Sequence, residues 1–302
     1  MNHGHSRPRP CLSSASLTAE VKIADDYTLK SISAYRDGRT DTLIDFDNTP
    51  GPVLDVPAFY KDWQFAQEVQ LLVEKERLQG VFGVYYLNGR ATGAFDTVAG
   101  NVDFTIYTDG NVKTESIAAF GDVSYDLTDR VQLSAGLRWT KDNKTGTVLR
   151  TQYLSIRSPA FGNPDALYLD TRSDYTNSRS FEKFTPRISL SFQPVDDVNL
   201  YASWGRGFKS GGFDMRGDVK STPATVDGYR PESIDSYEAG LKGLPRPHAV
   251  PERGRLLFAL QGSASDDPGA DDDTGGHCLL RRQCRQGHHL WCRGRASRRA
   301  VA

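Results

Sequence analysis

The chain has 302 residues and a net charge of −1, so it shows no charge excess pointing to nucleic acid or a membrane surface. Hydrophobic residues make up 38%, and no run approaches the roughly 18 consecutive apolar residues of a membrane-spanning helix. A spanning β-strand escapes that exclusion, because it needs only about ten residues with every second one apolar.

Residues 1–16 form a first segment. It holds no apolar core of the kind a secretory signal requires, so the chain as written is expected to lack an export signal. Cys11, Cys278, Cys284 and Cys292 are the cysteines, and His3, His5, His248, His277, His288 and His289 the histidines. All of them lie outside residues 12–247. The middle of the chain and its two ends read as text from different sources.

From Leu17 to Gly243 one pattern repeats: two runs of β-branched and aromatic residues flank a short polar turn, and a long polar stretch follows. Hairpins turn at Ala24-Asp-Asp and near Glu74-Lys-Glu. In the clearest unit Ile117, Ala119, Gly121, Val123 and Tyr125 alternate with Ser116, Ala118, Phe120, Asp122 and Ser124. After Asp126-Leu-Thr-Asp, the run Val131, Leu133, Ala135, Leu137 and Trp139 alternates with Gln132, Ser134, Gly136 and Arg138. A second such hairpin turns at Pro194-Val-Asp-Asp, between Ile188, Leu190 and Phe192 and the run Val198, Leu200, Ala202 and Trp204.

A period of two places the apolar side chains of each strand on one face. The aliphatic stripes tend to end in Tyr125, Trp139 or Trp204, where an interfacial aromatic girdle would stand. Short turns near 25, 75, 127 and 195 alternate with long connections expected over roughly 39–62, 89–112, 142–182 and 209–234. Outer-membrane barrels have this asymmetry, with short periplasmic turns and long extracellular loops.

Several segments resemble TonB-dependent receptors. Phe184-Thr-Pro-Arg-Ile-Ser-Leu-Ser-Phe, followed by Val198-Asn-Leu-Tyr-Ala-Ser-Trp-Gly-Arg-Gly-Phe-Lys-Ser-Gly-Gly-Phe, is similar to a family hairpin rising into an extracellular loop. Pro231-Glu-Ser-Ile-Asp-Ser-Tyr-Glu-Ala-Gly-Leu-Lys looks like the strand that follows it, and Tyr27-Thr-Leu-Lys-Ser-Ile-Ser-Ala-Tyr-Arg like an early barrel strand. Ala119 to Thr140 is similar to another recurring hairpin. The resemblance implies an all-β, transmembrane antiparallel β-barrel fragment, about nine strands of the roughly 22 in a family barrel, expected as an open curved sheet with an irregular C-terminal tail. It implies an outer-membrane location and uptake of a siderophore or similar nutrient. The implied partners are outer-membrane lipid, an extracellular small molecule such as a metal chelate and, in an intact parent, TonB. Nothing here resembles the family's plug or TonB box, so the chain is expected to be a truncated, non-functional piece. Two other classes remain open: a non-energised outer-membrane channel and a soluble β-sandwich ligand-binding module.

Arg36, Arg138, Arg187, Arg206 and Lys209 fall on the polar face or near the rim, and in a receptor they would contact an anionic ligand or the plug. The plainer alternative is ordinary lumen-lining charge. Gly205-Arg-Gly-Phe-Lys-Ser-Gly-Gly has Phe208 where a phosphate loop needs glycine, and no helix follows. Cys278, Cys284, His288, His289 and Cys292 lack the close cysteine pair of a structural zinc site, so no metal or other cofactor is expected. The arginine-rich run from Arg281 to Arg299 has no interleaved aromatics, and no nucleic acid is expected. A core without His or Cys supports no nucleophile–base pair, so no enzyme is expected.

After Gly243 the chain contains no Lys, Asn, Ile, Tyr or Met and is dominated by residues with GC-rich codons. His248 to Leu257 can be encoded so that a one-base shift gives Thr-Leu-Ser-Leu-Asn-Ala-Ala-Val-Tyr-Tyr, an alternating strand. Arg281 to Arg293 yields Val-Asp-Asn-Ala-Gly-Lys-Ala-Thr-Ile-Tyr-Gly-Ala-Glu in the same shifted frame. Three segments are therefore expected: 1–16 of non-family origin, 17–243 as partial barrel, and 244–302 as an out-of-frame, disordered tail.

Overall fold

An alternating strand offers one face to a nonpolar partner, and its backbone needs hydrogen-bonding neighbours on both sides. The computed structural model describes residues 11–49, 51, 53–243 and 257–261, the last of these as backbone only. Here each strand pairs with its nearest neighbours along the chain. The strands are β1 (Cys11–Ala24), β2 (Tyr27–Asp45), β3 (Leu54–Glu74), β4 (Leu78–Ala99) and β5 (Phe104–Thr128), then β6 (Val131–Leu154), β7 (Leu167–Val195), β8 (Val198–Lys209), β9 (Glu232–Gly243) and β10 (Leu257–Gln261). They form one antiparallel sheet in chain order, open among the described residues with β1 and β10 as its edges. A sandwich needs a second sheet, and none is present among the described residues. No described helix is long and apolar enough to cross a membrane.

Three of the four tight turns hold Asp, at 25–26, 129–130 and 196–197, and the β3–β4 turn is Lys75-Glu-Arg. Asp side chains and their neighbours satisfy backbone groups at a chain reversal, which is why such residues collect there. At the β5–β6 turn the Thr128 hydroxyl accepts from the amides of Arg130 (3.2 Å) and Val131 (3.1 Å). The Arg130 guanidinium donates to the Pro194 carbonyl at 3.0 Å and ties this turn to the β7–β8 turn.

Register carries one face across the sheet. Val84 pairs with Ala119, Ala119 with Trp139, and Trp139 with Phe184. On that face Leu78–Tyr86, Ile117–Tyr125, Val131–Trp139 and Phe184–Phe192 each present an alternate-residue apolar stripe. Phe82, Val84, Leu137, Ile188 and Leu241 are 45–57% exposed there, with no second layer over them. Nine residues rise about 30 Å along a strand, and a tilt of about 40° brings this close to the roughly 25 Å apolar band of an outer-membrane barrel. The stripes end in Tyr35, Trp63, Tyr86, Trp139, Phe184, Trp204 and Tyr237, and the next residue on the same face is Asp37, Lys61, Asn88, Lys141, Glu182, Arg206 or Asp235. Aromatic rings followed at once by a charged or amide side chain mark the edge of a hydrocarbon layer.

Of the expected long connections, 209–234 stands almost as placed, and the other three are corrected to much shorter ones. β5 has 25 residues and β7 has 29, about 80 and 95 Å of strand at about 3.3 Å per residue. Only residues 46–53, 100–103, 155–166 and 210–231 connect the strands at that end. Beyond the apolar band both faces are polar, so the period of two loses its contrast in sequence. The ladder continues because backbone pairing needs no such contrast, and Thr- and Val-rich strands favour it. Side-chain pairs such as Thr145–Ser178 (2.8 Å) and Thr147–Thr176 (3.1 Å) support the extension.

At the ends, β1 begins at Cys11, before the boundary placed at Leu17. β10, with its backbone paired to β9, lies inside the segment expected to be a tail. The rest of that tail, the histidines, Cys278, Cys284 and Cys292, the arginine-rich run and residues 1–10 lie outside the described residues.

Candidate functional site

The polar face carries three of the five singled-out cations at mid-height. Arg36 on β2 pairs with Asp62 at 3.0 Å. Arg138 on β6 stands over the rings of Tyr85 (5.4 Å) and Phe120 (5.6 Å), and its Nε donates to Thr140 Oγ1 at 3.1 Å. Arg187 on β7 reaches Asp122 on β5 across the intervening strand. That reach requires Gly136, where a Cβ would stand 2.1 Å from the Asp122 carboxylate. Lys209 lies at the top of β8 on the same face, 3.6 Å from Glu232 and over the Tyr229 ring. Arg206 is different: the register places it on the apolar face, one step past Trp204, in a bidentate pair with Asp235 at 2.9 and 2.8 Å. The structure therefore does not gather the five into one site. Each has an acidic or aromatic partner, which fits structural charge at least as well as ligand contact.

The feature missed in sequence is what the connection 210–231 does. It folds back over the polar face of β6 and β7 and is fastened there. Lys144 Nζ donates to the Gly211 carbonyl (2.9 Å), Ser173 Oγ to that of Gly217 (2.7 Å), Asn177 Nδ2 to that of Val226 (2.8 Å) and Arg179 to that of Asp227 (2.9 Å). Arg172 pairs with Asp218 at 2.9 Å, and Lys220 with Asp170. The paired cations hold the Asp218 and Asp170 carboxyls below their usual range, and burial lowers the Lys144 ammonium. Phe213, 6% exposed, sits over Gly146, where a Cβ would come within 2.5 Å of its ring. Met215 rests on Gly93 and Gly110 in the same way. Three glycines on the polar face of three strands were the available signal, and their alignment exists only once the register is known.

Between this connection and the upper parts of β2, β3 and β4 lies a cavity of about 770 Å³. Its walls are Ile44, Phe46, Val56, Tyr60, Phe95, Phe213, Met215 and Tyr229, with Asp214 and Arg216 among its few charges. Arg216 pairs with Asp214 at 3.1 Å, which holds that carboxyl low. This is a mostly apolar, aromatic chamber with one ion pair, suited to a ligand with flat apolar parts and a localised charge. None of the five singled-out cations lines it.

The connection 155–166 packs on the opposite face of β3–β5. Phe161 stacks on Phe59 at 4.9 Å, and the fully buried Asp96 accepts the Ser158 amide at 2.8 Å. Tyr107, also against Phe161, is pushed up to about 12 by burial and by Asp109. Burial pushes the Asp96 carboxyl above its ordinary range, against the pull of the Ser158 hydrogen bond and of Arg157. A raised carboxyl favours the folded loop when protonated, so its contribution is full below the ordinary value of 3.8 and is lost as pH rises through the raised one. Protection of the Ser158 amide, its exchange corrected for the intrinsic fall with pH, is expected to rise on acidification toward that range, and Asp96→Asn is expected to flatten the rise. Protection that falls on acidification would contradict this assignment.

Asp45, Asp47 and Asp55 bring carboxylates within 4.8 Å of one another. Asp45 accepts the Asn48 amide (2.7 Å) and Asp47 the Thr49 amide (2.9 Å), so two of the three already hold the turn.

Residues 4–259 match the β-barrel family described as TonB dependent receptor-like. The pesticin receptor of Yersinia enterocolitica (serotype O:8, biotype 1B) is 23% identical over 238 residues, which are 78% of this chain and 31% of that receptor; the Yersinia pestis pesticin receptor matches equally. Among solved structures, the ferric yersiniabactin uptake receptor FyuA from Yersinia pestis superposes with a TM-score of 0.62 at 18% identity, over 78% of this chain and 34% of that one. The siderophore receptor PiuA from Acinetobacter baumannii gives 0.53 at 14% identity, over 78% and 38%. The chain thus spans about a third of the length of these relatives, and at such identities the structural likeness speaks for the fold alone. With a family match over most of its length and an open sheet whose apolar face, aromatic rim and extended far ends are those of an outer-membrane barrel wall, the chain belongs to the TonB-dependent receptor family, whose members are transporters and not enzymes.

Proposed function

We propose that the chain is part of the barrel of an outer-membrane receptor that takes up a metal chelate such as a siderophore, with TonB as the energising partner of the intact receptor. The observation that carries this is the aromatic chamber beneath residues 210–231, at the end of the sheet beyond Tyr35, Trp63 and Tyr86, where the apolar stripes end. A chelate held there would be walled mainly by Phe46, Tyr60, Phe95 and Tyr229, beside the Asp214–Arg216 pair. Arg36, Arg138 and Arg187, lower on the same face, would then line the path inward or touch a plug. A non-energised channel has no need of a fastened aromatic chamber at its mouth.

The test is equilibrium dialysis of the full chain, folded in neutral detergent, against radio-iron chelates with and without aromatic groups. Saturable binding of the aromatic chelate, weakened at least about tenfold by Tyr60→Ala with Phe95→Ala, is the expected result, since each good aromatic contact is worth about 1 kcal/mol. Equal binding by the variant sinks the assignment.

A reading-frame slip near residues 243–246 belongs to the same proposal and would leave this product unable to transport, whatever it binds. The family match reaches residue 259, and β10 pairs with β9, but ladder pairing is made by backbone and tolerates either frame's side chains. Sequencing the DNA decides: stop codons or non-alternating text soon after the slip in the shifted frame would end the idea.

A further inference from the structure

Along the stripes 78–84, 117–123, 131–137, 186–192 and 198–202, every residue on the apolar face is Leu, Ile, Val, Phe, Ala, Gly or Pro. On β2 and β3 that rule breaks. Ser31, Ser33 and Gln67 stand on the same face, since Val84 pairs with Val69, Val69 with Ser31, and Gln67 with Ser33. Ser31 lies midway between Tyr27 and Tyr35, about 13 Å along the strand from each at about 3.3 Å per residue. The polar side chains therefore sit at the middle of the hydrocarbon band, facing outward, where the receptor assignment has no use for them.

The three are half-buried and bonded to one another. The Ser33 hydroxyl donates to Gln67 Oε1, and Gln67 Nε2 donates to Ser31 Oγ at 3.0 Å and to the Glu68 carbonyl at 3.2 Å. Both amide protons are thus taken. An amide oxygen accepts twice, and a hydroxyl both donates and accepts. Among the described residues, the Ser31 hydroxyl proton and one lone pair of Gln67 Oε1 are left over. Hydrocarbon supplies no water to take them, and each polar group left unpaired there is costly.

We propose that this patch is where a second copy of the chain docks, wall to wall within the membrane, with Ser31 of each copy donating to Gln67 Oε1 of the other. The level selects the kind of partner. Acyl chains offer no polar atom, so the complementary groups must belong to another membrane-embedded chain. The chemistry then selects a like chain: a two-fold contact sets a patch against itself, and this patch carries a free donor beside a free acceptor. Ala19 stands directly opposite Ser31, so small side chains let the two walls approach. In lipid, close packing of small residues and hydrogen bonds from Ser and Gln drive association, because burial of apolar surface does not. The inference rests on the membrane placement of the apolar face and not on the chelate, so failure of chelate binding leaves it standing.

The test is resonance energy transfer between donor- and acceptor-labelled copies of the full chain, folded into phosphatidylcholine vesicles over a range of protein-to-lipid ratios. Transfer that grows linearly with the acceptor fraction, as a dimer requires, is the expected result. Ser31→Ala, Ser33→Ala and Gln67→Leu together should weaken dimerisation on the order of tenfold, while inserting at least as well as the wild type, since they remove polar groups from the lipid face. Ser31→Thr keeps the hydroxyl and should dimerise within about threefold of the wild type, which separates a lost hydrogen bond from a lost fold. A wild-type chain that inserts without transfer above that of random neighbours would overturn the proposal. So would equal transfer by the triple variant, the outcome expected if copies joined through their open sheet edges. Failure to insert would overturn the membrane placement and the proposal with it.

Discussion

Replacing Ile188 by Arg is expected to abolish stable insertion of the chain into phosphatidylcholine vesicles, while Ser189→Arg, one residue along, is expected to leave insertion nearly intact. Ile188 is the middle residue of the Phe184–Phe192 stripe and is 46% exposed on the apolar face. A guanidinium at the midplane of a barrel wall costs about 2–4 kcal/mol on its lipid side, enough to shift folding on the order of a hundredfold. Ser189 points to the other face, beside a space of about 230 Å³ lined by Ser134 and Ser203, where a long polar side chain can extend into water. Its substitution should cost under about 1 kcal/mol, mostly through repulsion from Arg187. Denaturant titration of vesicle-folded protein gives both numbers. Equal effects at the two positions would mean that neither face meets lipid, and would return the sheet to a soluble architecture.

Phe213→Ala is expected to free residues 210–231 from the sheet and open the chamber. The ring is almost wholly buried and rests on Gly146, so truncation removes its contacts and leaves a void that the backbone of β6 cannot fill. Large-to-small changes of this kind cost about 3–5 kcal/mol in a closed core; about 3 is expected here, since the loop can relax. Protease cleavage within 210–231 should then accelerate on the order of a hundredfold, with β5–β7 still protected. Gly146→Val attacks the same contact from below, because its side chain would occupy the place of the ring. The double variant should lose little more than either single one, as expected for two changes at one contact. Additive losses would show that the ring and the glycine act separately.

The acid–base behaviour separates the two large connections. Around residues 210–231 the carboxyls of Asp170, Asp214 and Asp218 are held low by their cations, so their contribution is present above the ordinary carboxylate value and is lost as pH falls below it. Asp96 under residues 155–166 runs the other way. One end of the barrel thus carries a connection that acid loosens and another that acid secures.

Much of this was legible in the linear chain. Alternation from Leu17 to Gly243 fixed which residues share a face, and Asp25-Asp26, Asp129 and Asp196-Asp197 marked the tight turns, because both signals are local consequences of backbone geometry. The side occupied by Arg206 was legible too, since it has the parity of Trp204, although its polarity suggested the other face. Three things could not be read. The upper strands are polar on both faces, so only the hydrogen-bonded ladder shows that β5 and β7 continue far past the membrane band. The seat of Phe213 joins residues 67 positions apart, Gly146 and Phe213, and no periodicity links a loop to the strand it covers. The polar cluster of Ser31, Ser33 and Gln67 comes from two strands and exists only through register. The sequence by itself determined the membrane-level strands and their faces, which follow from local spacing, and its segments carried the family resemblance. Only the tertiary structure decided the chamber, its cover and the polar cluster, because long-range pairing and a loop folded back on the sheet bring those side chains together.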